Sequence, residues 1–257
     1  VTTDEAEPAS RRVARELRRQ ITEGLIPPGE RLPSERTLAS QHGIARNTAR
    51  EAIRLLGDEG LVDAEQGRGV FVRTKPPLLR FGSNRYSRSL RSETGLSPYR
   101  AEVDKQGRTA SVDCTSIERV APPANVAERL GVSSTTLSVV RRVNWYYADE
   151  EPMQVGVTYI PWTIAKGSVL GTSADMGKGS LYARFEERGH AITRIREEVS
   201  ARMPTPDEAL GLRIPDGVPV LDIVHTGIDQ DGTSFEVTEF IMRADHNALD
   251  YTMPVED

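Results

Sequence analysis

Arg46, Arg50 and Arg54 recur at intervals of four, so a helix would stack them on one side, with Asn47 and Thr48 beside the first. An arginine at the start of such a helix can donate two hydrogen bonds to guanine O6 and N7 in a major groove about one helix wide. Asn47 can pair with adenine, and Thr48 can bond a phosphate or touch a thymine methyl. A little further on, Gln66-Gly67-Arg68-Gly69 sets an arginine between glycines that permit positive φ and close backbone approach. Arg68 at such a tip suits a narrow minor groove. Each part alone has an ordinary reading: arginines four apart form many solvated helix faces, and Gly-x-Gly is a common turn.

A second group has a different chemistry. Arg142 can hold a carboxylate or phosphate with two parallel bonds. Ser180 and Tyr182 open a helical pattern, where hydroxyls and free backbone N–H groups can meet the same anion. Glu239 can accept from a ligand hydroxyl. The ordinary readings here are a surface ion pair for the arginine and a helix cap for the serine.

The elements around the first group can be read off the chain. Arg11–Glu23 is amphipathic, with Val13, Leu17 and Ile21 on one face, and Gly24 and Pro27-Pro28-Gly29 end it. Ser34 caps a helix that runs to about His42 and buries Leu38 and Ala39, with Glu35 in its first turn. Gly43 breaks the chain before a helix from about Ala45 to Asp58, whose inner face is Ala49, Ala52, Ile53 and Leu56. Gly60 stops it, and Leu61–Glu65 and Val70–Arg73 flank the glycine turn as a hairpin. Two helices about a glycine turn, then a basic helix and a hairpin, describe a winged helix-turn-helix over residues 9–73.

Residues 74–78 (Thr-Lys-Pro-Pro-Leu) read as a linker, and residues 79–257 as a second domain. Ala110–Val120 reads as a strand, and a helix closes at Gly131. Leu137–Tyr147 and Met153–Ile160 pair across a hairpin, as do Val218–Ile228 and Ser234–Arg243. Helices are expected over Ser180–Arg188 and from Thr205, where a cap, a proline and two acids stand in order. Hairpins dominate, so the expected class is α+β with a mainly antiparallel sheet.

Charge supports the division. The formal net charge of −5 hides 14 basic against 9 acidic residues over Ala9–Arg80, and 19 basic against 26 acidic from Phe81 onward. Of 257 residues, 37% are hydrophobic, enough for a folded core. Cys114 is the single cysteine, which excludes an internal disulfide framework and fits a reducing cytoplasm; it reads as a small buried hydrophobe with no basic partner. Val1–Pro8 is polar and acidic rather than a secretory signal, and no apolar run approaches the ~20 residues of a membrane helix. A cytoplasmic, nucleoid-associated protein without membrane contact is therefore expected. His42, His190, His225 and His246 have no metal-ligand spacing, and no phosphate-cradling loop precedes a helix, so no metal or cofactor is expected.

Leu32-Pro33-Ser34-Glu35-Arg36, Gly43, Arg46 to Ala52, Glu59-Gly60-Leu61-Val62 and Gln66 to Val72 occur in order and at close spacing. Together they resemble the DNA-binding domain of GntR-family bacterial transcription regulators. The resemblance implies a homodimer with two winged heads on double-stranded, inverted-repeat operator DNA, contacted through Arg36, Arg46, Thr48, Arg50 and the tip Gln66, Gly67, Arg68 and Gly69. Ala45 and Asn47 depart from the hydroxyl residues frequent there. Further on, Arg141 to Asn144, Tyr159-Ile160-Pro161, Gly179 to Tyr182, Thr205 to Leu212 and Arg243-Ala244-Asp245 resemble the UTRA effector domain of the HutC subfamily, whose fold is shared with chorismate lyase. That likeness implies a small-molecule effector in a cleft against the sheet. It adds Arg85, Arg88 and Asn144 to Arg142, Ser180, Tyr182 and Glu239 as effector contacts. Asn144 and Gly156 stand where phosphosugar-binding relatives often carry an arginine and a glutamate, which argues against a phosphosugar; Trp145, Tyr146, Tyr147 and Trp162 suit a more apolar or aromatic ligand. The expected function is a ligand-responsive transcription regulator, a homodimeric repressor rather than an enzyme. The competing readings are a chorismate-lyase-like enzyme and a DNA-binding protein whose second domain only dimerises.

Overall fold

Residues 7–65, 67–74, 77–82 and 85–253 are described by the structure, a computed structural model. They divide between two units, one ending at Pro77 and one starting at Leu78, the Pro215–Val218 segment aside. Gln66 of the expected wing tip and Lys75 and Pro76 of the expected linker lie outside the described residues.

The first unit runs α1 (Ala9–Thr22), α2 (Glu35–His42), α3 (Arg46–Asp58), β1 (Val62–Glu65) and β2 (Gly69–Val72). Ser34 caps α2 by accepting from the Thr37 N–H at 3.2 Å. Gly43 ends α2 in the left-handed region, φ 63°, where a side chain would be strained, and so lets α3 start within three residues. Val13, Leu17, Leu38, Ala49, Ala52 and Leu56 meet in one core, closed by Val62 and Val72 of the hairpin. Ile53, expected inside, is half-buried. β1 and β2 pair antiparallel, and Leu32 N–H donates to the Val70 carbonyl at 2.8 Å, which ties the segment before α2 to the wing.

The second unit holds β3 (Leu78–Phe81), α4 (Arg88–Thr94), α5 (Pro98–Lys105), β4 (Ala110–Val120), α6 (Ala124–Leu130), β5 (Val139–Ala148), β6 (Glu151–Pro161), α7 (Trp162–Ala165), a 3₁₀ turn at Val169–Gly171, α8 (Ser180–Glu187), β7 (Ile192–Arg202), α9 (Pro206–Gly211), β8 (Val220–Asp229), β9 (Ser234–Arg243) and β10 (Asn247–Asp250). A six-stranded antiparallel sheet is ordered β4-β5-β6-β9-β8-β7, and β3 pairs in parallel with β10. Leu78, counted with the linker in the sequence, opens β3 instead because its buried side chain joins Tyr99, Val103 and Met153 in a core. β7 has no strand signal in the sequence: as an edge strand it carries Arg194, Arg196, Glu197 and Glu198 rather than an apolar alternation.

Leu56 is fully buried at the centre of the head. Leu56→Ala is expected to destabilise the head by about 2–5 kcal/mol through the cavity it leaves, read by urea denaturation followed with a probe in the head. A loss below about 1 kcal/mol would show that the helices are not packed this way.

Candidate functional site

In the head, Arg46 and Arg50 leave α3 on its solvent side with side chains 68% and 61% exposed. Both reach back to one acceptor: Arg46 Nε donates to Glu35 at 3.0 Å, and Arg50 Nε and Nη2 donate to the same carboxylate at 2.8 and 3.1 Å. The hydrogen bonds from Arg50 and then Arg46 hold the Glu35 carboxyl below its usual range. Asn47 is exposed and Thr48 half-buried on the same first turn, and Arg36 is exposed on α2. Arg54 is different, since it pairs along its own helix with Glu51 and Asp58. In the wing, Arg68 pairs with Glu65 and lies over the Phe71 ring, with Gly67 and Gly69 at positive φ on either side. Gly69 has φ 125°, a conformation that side chains rarely adopt, so the backbone of this turn favours glycine. The exposed guanidiniums of Arg46, Arg50 and Arg68 are thus paired with half-buried or exposed carboxylates at the surface of the head, contacts that are weak and readily exchanged.

The second unit encloses a cleft of about 720 Å³ between the sheet, the chain before α5 and the start of α8. On β5 the alternate residues Arg142, Asn144 and Tyr146 face it, and on β9 Thr238 and Phe240 do. Arg142 is 1% exposed, and its guanidinium donates to the carbonyls of Leu170 and Ser173, both at 2.8 Å, and to Cys114 Sγ at 3.6 Å. No carboxylate pairs with it among the described residues, and burial pushes its pKa down. Arg85, also lining the cleft, is buried against Glu102. Ser180 has φ 59°, in the left-handed region, and sits on the cleft wall where α8 begins. Gly156 pairs with Asn144 across the β5–β6 ladder, and an added Cβ there would meet the Phe240 ring at 2.9 Å and the Tyr146 ring at 3.1 Å. The absent side chain is what lets those two rings close together.

Behind the cleft wall lies a buried charge cluster. His225 on β8 is fully enclosed, with Nδ1 2.8 Å from Glu197 and Nε2 3.1 Å from Glu236. Tyr182, which lines the cleft, donates to Glu236 at 2.8 Å and lies 3.3 Å from His225 Nε2. Arg80 on β3 and Tyr251 donate to Glu197. Burial works against the charged imidazole, but Tyr86, Glu236 and Glu197 outweigh it and hold His225 up at about 10. Glu197 and Glu236 are held below their usual range: burial opposes this, and the His225 contacts, with Arg80 for Glu197, overcome it.

Of the residues singled out in the sequence, Arg85, Arg142, Asn144, Ser180 and Tyr182 meet at this cleft. Two do not. Arg88 is a solvent-facing residue of α4 near Glu186, and Glu239 points from β9 toward α6, where Asn125 donates to it at 3.1 Å. Strand alternation explains the second: Thr238 and Phe240 face the cleft, so Glu239 faces away. Among the four aromatics offered for a ligand, Tyr146 alone lines the cleft; Trp145 packs over Gly211 and Trp162 stacks with Arg119 at 4.2 Å. Cys114 is half-buried and does have a basic neighbour, Arg142, contrary to its reading as an inert hydrophobe. The same alternation that selected Arg142 and Asn144 selects Tyr146. Nothing local signals that Cys114 meets Arg142, because that depends on the pairing register of β4 and β5, which sets Cys114 opposite Asn144 and so on the face that carries Arg142.

A winged helix-turn-helix joined to an α+β domain with a cleft of this kind defines a DNA-binding transcriptional regulator. Residues 9–72 match the family of bacterial regulatory proteins of the gntR family, and residues 105–247 match the UTRA domain. The chain belongs to the GntR family and carries a UTRA domain. It is 31% identical over 250 residues to the HTH-type transcriptional regulator Rv0792c of Mycobacterium tuberculosis, covering 96% of this chain and 86% of that one. It is 30% identical to the HTH-type transcriptional repressor NagR of Bacillus subtilis, covering 91% and 89%. Among solved structures, PhnF of Mycobacterium smegmatis aligns with a TM-score of 0.60 at 25% identity over 95% of this chain and all of that one. No helix among the described residues is long and apolar enough to cross a membrane.

The His225 cluster gives a pH signature. Its pKa is about 10 folded against 6.5 unfolded, so its contribution to stability is full below about 6.5 and is lost as pH rises toward 10. The two carboxylates are shifted down and contribute above about 4.5, losing that contribution on acidification. The melting temperature should therefore fall between pH 6.5 and 10, and His225→Gln should flatten that limb; an unchanged slope in the variant would contradict the assignment.

Proposed function

We propose that the protein is a cytoplasmic, homodimeric repressor that binds an inverted-repeat operator through two winged heads and is released when a small molecule occupies the cleft. One observation carries this reading: a single chain holds an exposed arginine-bearing helix on a winged head and, in a separate unit, a cleft of about 720 Å³ walled by a guanidinium without a carboxylate partner among the described residues. Arg46, Asn47, Thr48 and Arg50 read bases or phosphates from the first turns of α3, Arg36 contacts the backbone, and the tip from Gln66 to Gly69 enters the adjacent minor groove. Binding exchanges the Glu35 contacts of Arg46 and Arg50 for contacts to DNA. The effector meets Arg85, Arg142, Asn144, Ser180 and Tyr182, with Tyr146 and Phe240 as an apolar wall.

The Tyr146 and Phe240 rings, 6.1 Å apart on the cleft wall, support a ligand with an aromatic or apolar part beside its anionic group. Ligand can release DNA only through its different affinity for the DNA-binding and released states, so DNA must weaken ligand binding by the same factor, typically ~5–150-fold. The relatives of the chain are transcriptional regulators, which supports a sensing rather than a catalytic role.

Arg50→Ala tests the reading head. It should weaken binding to a selected inverted repeat by about 1–3 kcal/mol while changing random-duplex binding much less. Titration of both duplexes at one salt concentration reads the difference. Equal losses on the two would remove Arg50 from the base-reading set.

A further inference from the structure

Arg142 places a buried positive charge beside the chain's single thiol. Its guanidinium is 1% exposed, and Nη1 and Nη2 are engaged by two backbone carbonyls. Nε has no hydrogen-bond partner among the described residues. Every neutral carbonyl leaves the charge uncompensated, and an unpaired buried charge is costly. The remaining neighbour of Nη2 is Cys114 Sγ at 3.6 Å, and the thiol's other contact is a long one, 3.8 Å to the Ser116 carbonyl. The sulfur is thus the side-chain neighbour of a buried guanidinium that has no carboxylate partner among the described residues. Cys114 is half-buried and lines the same cleft as Arg142, so a small molecule entering the cleft reaches the sulfur. Across the β4–β5 ladder its partner is Asn144, whose amide can donate to a carbonyl oxygen bound there.

We propose that Cys114 is a covalent modification site for α,β-unsaturated carbonyl compounds, with Arg142 as the residue that positions and activates its thiolate. The sulfur lone pair forms a C–S bond at the β-carbon, the C=C π pair moves through the carbonyl to its oxygen as an enolate, and water returns to the α-carbon a proton equivalent to the one the thiol gave up. The addition is redox-neutral and needs no further reactant. Because there is no second cysteine in the chain, an oxidised sulfur would have no internal thiol to resolve it, whereas addition needs none. This assignment stands on the cleft geometry and does not rest on the DNA-binding reading.

The test is the rate of modification by N-ethylmaleimide at pH 7, followed by intact mass on the full chain. The native protein should form a single adduct on the order of tenfold faster than the same protein unfolded in urea, although unfolding exposes the sulfur fully. The adduct should be absent in Cys114→Ser. The advantage should be lost in Arg142→Met and kept in Arg142→Lys, a rescue that a purely structural arginine would not give. A native rate at or below the unfolded rate would overturn the proposal, and this comparison needs no variant to fold. An adduct persisting in Cys114→Ser, or equal rates in folded Arg142→Met and wild-type protein, would overturn it as well.

Discussion

The second domain depends on keeping one charged imidazole inside a sheet. His225 has no access to water, and an isolated ion there would be expelled or neutralised. It remains because Glu197 and Glu236 approach from two adjoining strands, one on each ring nitrogen, and Arg80 balances the second negative charge. Two anions and two cations leave the cluster neutral. Removing any one member leaves a buried charge without its partner, which is the costly way to disturb such a group. The cluster therefore fixes the relative register of β7, β8 and β9, and through Arg80 it ties in the strand that opens the domain.

The same cluster has a surface in the cleft. Tyr182 touches both His225 and Glu236 and also lines the cavity, so a ligand that moves this phenol changes the hydrogen bonding of the buried ions. Arg80, at the other end of the chain of contacts, lies three residues after Pro77, where the first unit ends. A short path of hydrogen bonds thus joins the cavity wall to the strand beside the inter-domain segment. The head needs a different balance. Its exposed arginines are held by carboxylates at the surface, contacts weak enough to be given up to DNA, while its stability comes from the apolar seam of α1, α2 and α3.

The sequence was most legible where a local rule decides the structure. Ser34, Gly43 and the spacing of Ala49, Ala52 and Leu56 specify the helix-turn-helix by capping, positive φ and helical period, and the structure has each. In the second domain, β4 and β9 follow their β-rich runs at both ends, and Thr205 forms the full capping box. What could not be read depended on partners distant in the chain. β7 looks like a charged surface segment until Glu197 meets His225 and Arg80, and Cys114 looks inert until the β4–β5 register sets it beside Arg142. Glu239 shows the opposite failure: its chemistry suited a ligand, but strand alternation puts it on the α6 side.

The proposed function requires that this winged head read a particular DNA sequence. Selection of duplexes from a random-sequence pool by the purified full-length protein, at near-physiological salt, tests it most directly. One inverted repeat should be enriched, with affinity for it exceeding that for unselected DNA by at least about a thousandfold. Recovery that is indifferent to sequence and disappears as salt is raised would contradict it, leaving only the generic attraction of exposed arginines for phosphate.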